Sequence, residues 1–111
     1  GFCMGGGLVL TTAIRNYDVA AAIVYYGGLP NPPEQLEAIE APVLAFYGDD
    51  EADRANQLQQ VLRQHNKSIE LHIYEGAPHG FFNDSNEGAY NRAAAYDTWP
   101  RAVHFFHQYL T

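Results

Sequence analysis

Basic residues are scarce in this chain: six Lys and Arg stand against thirteen Asp and Glu, a formal charge of −7. A phosphate backbone is repelled by such a surface, which argues against nucleic acid as a partner. Long apolar runs are also missing. The longest, such as Val19 to Tyr26, fall well short of the roughly 20 residues that a bilayer-spanning helix needs, so no membrane span is expected. There is one cysteine, Cys3; an internal disulfide is excluded, and a reducing, cytoplasmic setting fits best. Internal repeats and low-complexity stretches are absent. What is present is 47% hydrophobic and 17% charged sequence, enough apolar surface for the packed core of one domain over residues 1–111.

The order of elements follows from periodicity and punctuation. Gly1 to Gly5 reads as a strand-to-helix turn, and Met4 to Ile14 as a mostly buried helix closed by Asn16. Val19 to Tyr26, rich in β-branched and aromatic residues and bounded by Gly27-Gly28, predicts a strand covered on both faces. Pro30, Pro32 and Pro33 force an irregular stretch, and Glu34 to Ile39 adds a short helix. Pro42 to Tyr47 predicts a second buried strand. Leu58, Val61, Leu62 and His65 form one stripe of a helix over Ala52 to His65. Ile69, Leu71 and Ile73 alternate with Glu70, His72 and Tyr74, as in a half-exposed strand at a sheet edge. A loop over Gly76 to Gly80 then leads to a helix ending near Leu110, with Trp99, Val103, Phe106 and Leu110 on one face and a kink or new first turn at Pro100. This alternation implies an α/β fold: a parallel sheet with helices on both faces.

The chemistry concentrates at three places. A lone cysteine is most often a packing residue, but Cys3 is set among Gly1, Gly5 and Gly6, which leave room for a sharp turn between a strand and a close helix. At the helix N-terminus the partial positive charge and free N–H groups favour a thiolate and an oxyanion, and the Met4 N–H is the natural oxyanion donor. His79 follows a predicted strand, where the base of a triad hangs over the carboxyl edge of the sheet. His65, His72, His104 and His107 lie on helices or the edge strand and read as solvated or packing residues. Between Cys3 and His79 comes the acidic run Asp49, Asp50, Glu51 and Asp53, in the chain order nucleophile, acid, base. The position alone does not select one acid from the run, most of which reads as a solvated helix start. The run lacks the alternating ligands and central glycine of a calcium loop, so no metal is expected, nor any other cofactor.

These residues resemble the dienelactone hydrolase family. Gly1-Phe2-Cys3-Met4-Gly5-Gly6 is similar to its cysteine elbow, Tyr25-Tyr26-Gly27 to the strand end that follows, Pro42 to Gly48 to the strand before its acid, and His72 to Phe81 to its histidine loop. The order of the four motifs makes the resemblance specific, and it spans nearly the whole chain. It implies the α/β-hydrolase fold, three-layered with a parallel sheet, of which this chain is the C-terminal part starting at the nucleophile elbow. It also implies Cys3 as nucleophile, His79 as base and Tyr25 as a wall of the substrate pocket. By the family's spacing the acid is Glu51, where the family has Asp; a one-residue slip would select Asp50, and an altered loop Asp53. The arginine that follows the histidine in dienelactone-specific members is replaced here by Phe82, Asn83 or Asp84, which favours another ester, lactone or thioester.

The expected activity is therefore hydrolysis of a small carboxylic ester or lactone through an acyl-thiol intermediate. Two alternatives stand beside it: an inactive fragment or degenerate copy that acts by association, and a thioesterase or peptidase-like hydrolase on the same scaffold. The chain opens on Gly inside a turn, so the N-terminal half of the domain, with its second oxyanion donor and any targeting signal, is expected to lie outside this sequence.

Overall fold

The computed structural model describes residues 1–16, 18–76 and 92–110. Among these residues three helices, α1 (Met4–Arg15), α2 (Ala52–Gln64) and α3 (Arg92–Leu110), alternate with three strands, β1 (Ala22–Tyr25), β2 (Val43–Gly48) and β3 (Ile69–Tyr74). Short 3-10 turns cover Pro33–Ala38 and Asp49–Glu51.

The strands form a parallel sheet in the order β1-β2-β3. Phe2 bridges Tyr25 in parallel, so the segment before α1 continues the sheet on the outer side of β1. From that segment through α1 to β1, and from β2 through α2 to β3, the chain crosses the sheet in the same direction. Right-handed crossovers then put α1 and α2 on one face. The other face is left to α3, whose Thr98 and Asp97 receive hydrogen bonds from Tyr25 and Tyr74.

β1 and β2 are buried at every position, as continuous apolar runs covered on both faces should be. Val24, Val43, Leu44, Ala45, Phe46 and Tyr47 have no exposed surface; each large side chain among them contributes about 1.5–3 kcal/mol. α2 buries Ala55, Leu58, Val61 and Leu62, the stripe expected from its spacing. Asn66 (φ 58°) ends that segment, in the left-handed conformation that Asn tolerates better than most residues.

Several expectations change in the folded chain. The first strand is four residues long, Ala22–Tyr25, rather than the eight of Val19 to Tyr26; it begins three residues later and ends where Tyr26 turns to φ 42°, its N–H still donating to Phe46 O at 2.7 Å. α1 is one-sided rather than mostly buried: Gly6, Leu10 and Ala13 face the core while Met4 and Leu8 are exposed. α3 runs unbroken through Pro100. No new helix begins there, and the Tyr96 carbonyl that Pro100 leaves without a donor is on an exposed stretch that water can reach. The stripe Trp99, Val103, Phe106 and Leu110 is exposed, and α3 packs instead through Ala94, Ala95, Thr98, Ala102 and Phe105. Small residues let this helix settle onto large aromatic side chains of the sheet.

Candidate active site

Cys3 is the N-cap of α1, with φ 57° and ψ −123°, a conformation that costs of order 1–3 kcal/mol and persists only where the surroundings enforce it. Backbone bonds enforce it here. Gly1 N donates to Ile23 O at 2.9 Å, Tyr25 N to Gly1 O at 2.9 Å and Cys3 N to Tyr25 O at 3.0 Å, while Gly7 N donates to Cys3 O at 3.2 Å as α1 begins. The chain thus leaves the sheet and enters a helix across one half-buried residue, whose side chain is set at the turn. Met4 follows in the first turn of α1, where N–H groups have no intrahelical acceptor.

Glycines make this approach feasible, though not the three expected from sequence. A Cβ on Gly1 would lie 2.4 Å from Gly5 O, and one on Gly6 would lie 2.8 Å from Gly27 Cα. A Cβ on Gly5 meets nothing within 4 Å. The second partner of the contact is Gly27, after β1; its own Cβ would lie 2.6 Å from Gly6 C. Sequence reading assigned Gly27 only to the end of a strand, since the pairing of two glycines 21 positions apart is a tertiary contact.

The acidic run separates into distinct environments. Glu51 turns inward, its side chain only 10% exposed, and its Oε2 accepts from Arg54 at 2.7 Å. Tyr47 is close enough to feel both charges: burial raises its hydroxyl pKa well above the usual range, Arg54 opposes that and Glu51 adds to it. Asp50 and Asp53 are exposed on the surface. Asp49 reaches across to the strand-β3 side, where its Oδ2 accepts from Gly76 N at 2.8 Å. His79, together with Pro78, Gly80 and Phe81 to Asp84, lies outside the described residues.

An aromatic row crosses the sheet under α3. Phe2 aligns with Tyr25, Tyr25 with Phe46 and Phe46 with His72; ring centroids are 4.4, 4.9 and 5.7 Å apart along the row. Tyr25 is buried, and its hydroxyl donates to Thr98 Oγ1 at 3.0 Å. Burial raises its pKa, with the Thr98 bond acting the other way. Tyr25 therefore ties β1 to α3, a structural role that the sequence did not indicate. His72 stacks on Phe46 and meets Glu70 Oε2 at 2.8 Å, in keeping with a packing histidine.

Where β3 ends, the expected alternation reverses: Ile73 is exposed while His72 and Tyr74 are half-buried beneath α3. Tyr74 donates to Asp97 Oδ2 at 2.5 Å, and Arg101 Nε donates to the same oxygen at 2.9 Å. The Tyr74 bond foremost, then Arg101, holds the Asp97 carboxyl below its ordinary pKa. At the opposite edge a cavity of about 250 Å³ opens between Phe2, Val9, Ile23, Trp99 and Phe106. Trp99 (59% exposed) and Phe106 (41%) thus line an apolar edge rather than a core. None of the helices among the described residues is long and apolar enough to cross a membrane.

Comparison with known proteins adds a context for this geometry. The profile of the dienelactone hydrolase family matches residues 1–110. A Saccharolobus solfataricus protein is 41% identical over 95% of this chain and 41% of its own length. The carboxymethylenebutenolidase of Rhodococcus opacus is 35% identical over 100% of this chain and 49% of its own. The solved dienelactone hydrolase of Anabaena variabilis, 23% identical, superposes with a TM-score of 0.74 over 98% of this chain and 47% of that one, a likeness of fold. The chain spans about half the length of the curated relatives it matches.

Proposed function

The chain belongs to the dienelactone hydrolase family, and from that premise we propose that it carries the nucleophile, acid and base of a carboxylic ester or lactone hydrolase. The observation that carries the reading is the left-handed turn at Cys3, φ 57°, between a sheet-bound segment and the first turn of α1. Such a turn presents a side chain beside unpaired backbone donors, as acyl transfer needs.

In this reading the Cys3 thiol passes its proton to His79, and its sulfur attacks the substrate carbonyl. The carbonyl oxygen becomes an oxyanion held by the Met4 N–H. Collapse of the tetrahedral adduct breaks the carbon–oxygen bond, His79 protonates the departing alkoxide, and an acyl-thioester of Cys3 remains. Water, deprotonated by His79, then releases the acid and restores the thiol. Glu51 holds the imidazolium; its low exposure and its fixed bond to Arg54 favour it over exposed Asp50 and Asp53. Tyr25, in register with Phe2 beside the elbow, forms part of the wall against which the acyl group lies. The substrate is a small ester or lactone, and no step calls on a cofactor.

The full-length protein is expected to release nitrophenol from short acyl esters, with Cys3→Ala lowering kcat/KM by at least about a thousandfold. A variant as fast as the parent would sink this reading. The apolar edge around Phe2, Trp99 and Phe106 favours one further element: coverage by polypeptide equivalent to the other half of the relatives, which completes the site. A hydrophobic dye that binds residues 1–111 alone but not a chain with that half present would support it; equal binding by both would not.

A further inference from the structure

We propose that Asp49 is a positioning residue for the base: through the Gly76 amide, its carboxylate fixes the stem of the segment that carries His79. The inference rests on the reading of His79 given above.

The bond continues the β2–β3 ladder by other means. The last register pair is Gly48 with Tyr74, after which β2 bends into the 3-10 turn Asp49–Glu51. Asp49 O is taken by Ala52 N–H within that turn, so the backbone at this position has no carbonyl to offer β3. The Asp49 side chain supplies the acceptor instead, 2.8 Å from Gly76 N. A carboxylate does this better than a neutral group, because a charged acceptor makes the stronger bond.

Gly76, at φ +69°, is where the chain turns out of the sheet. His79 follows three residues later, within about 10 Å of extended chain. In this proposal, releasing Gly76 loosens the anchor of the base, and a misplacement of about 1 Å can cost a hundredfold in rate. The same turn carries Glu51 two positions after Asp49, so one short segment orients the acid from its own side chain and the base through its neighbour's backbone.

The test compares Asp49→Ala, Asp49→Asn and Cys3→Ala in the full-length protein. Steady-state hydrolysis of a nitrophenyl ester and amide hydrogen exchange at Gly76 are measured on each. Asp49→Ala should lower kcat about tenfold with KM within twofold, and should speed Gly76 exchange by about tenfold. Asp49→Asn keeps an oxygen in place and should recover most of both. Should Asp49→Ala fail to fold, Asp49→Ser, too short to span to Gly76, takes its place. Parent-like kcat in the truncated variant, or an Asn variant as slow as it, beside an inactive Cys3→Ala overturns the proposal. If Cys3→Ala keeps the parent rate, the reading of the triad falls, and this inference with it.

Discussion

The two ends of the carboxyl edge are built by different means. At the elbow, backbone meets backbone: Gly6 lies on Gly27, and three hydrogen bonds hold Gly1 to Cys3 along β1. At the β3 end side chains make the joints, from Asp49 to Gly76 and from Tyr74 and Arg101 to Asp97. Backbone contacts leave no room for an added atom, whereas a side-chain bond can be weakened in steps. The position of Cys3 should therefore be all-or-none, and the far end adjustable.

The severest way to break that contrast is Gly6→Ala. Its Cβ would meet Gly27 Cα at 2.8 Å, with backbone on both sides unable to yield, and we expect a loss of about 3 kcal/mol or more in denaturant unfolding. A well-folded variant of unchanged stability would show that the elbow is not rigid. Between the two ends, Tyr25→Phe removes the buried bond to Thr98 Oγ1 and should cost about 1–2 kcal/mol. A larger loss would mean that α3 depends on this joint more than on its packing.

Gly5→Ala sharpens the comparison from within the elbow. With nothing near its Cβ and a helical position that favours alanine, it should stabilise by up to about 1 kcal/mol. A destabilised variant would place a hidden constraint at the elbow. The smallest effect is expected from pH at the far end. Asp97 has its carboxyl pKa held down in the folded chain, so its contribution is full above the ordinary carboxyl range near 3.9 and is lost as pH falls through the lower folded value. Solvent screening keeps it to roughly half a kcal/mol. Thermal unfolding followed from pH 6 down to pH 2 should fall more steeply for the parent than for Asp97→Asn; parallel curves would show that the bonds to Asp97 carry no net stability.

Much of the layout was legible because it follows local rules. Leu58, Val61 and Leu62 gave α2 its buried side, and β3 spans the residues its alternation marked. The burial of β2 on both faces was likewise plain from an apolar run. The ends of elements were less legible, as at Tyr26, where a positive φ cuts short a strand whose residue types all suit one. α3 misled for a physical reason: most of its large apolar residues form a stripe, but burial goes to the side of Ala94, Ala95, Thr98 and Ala102, with Phe105 the one large residue on it, since small side chains fit against the aromatic row. In the site, Cys3 stood out through its glycines. Asp49 did not, because within a run of four carboxylates nothing local separates one that bonds across the sheet from those that face water.

By itself the sequence determined the succession of helices and parallel strands and the setting of Cys3 in a glycine-rich turn, since both are written in periodicity and in short motifs. Tertiary structure alone decided which glycine opposes Gly6, which carboxylate turns inward beside Arg54 and which one reaches Gly76. Those are contacts between segments more than twenty residues apart, or choices among identical groups. Only the geometry of the assembled sheet distinguishes them.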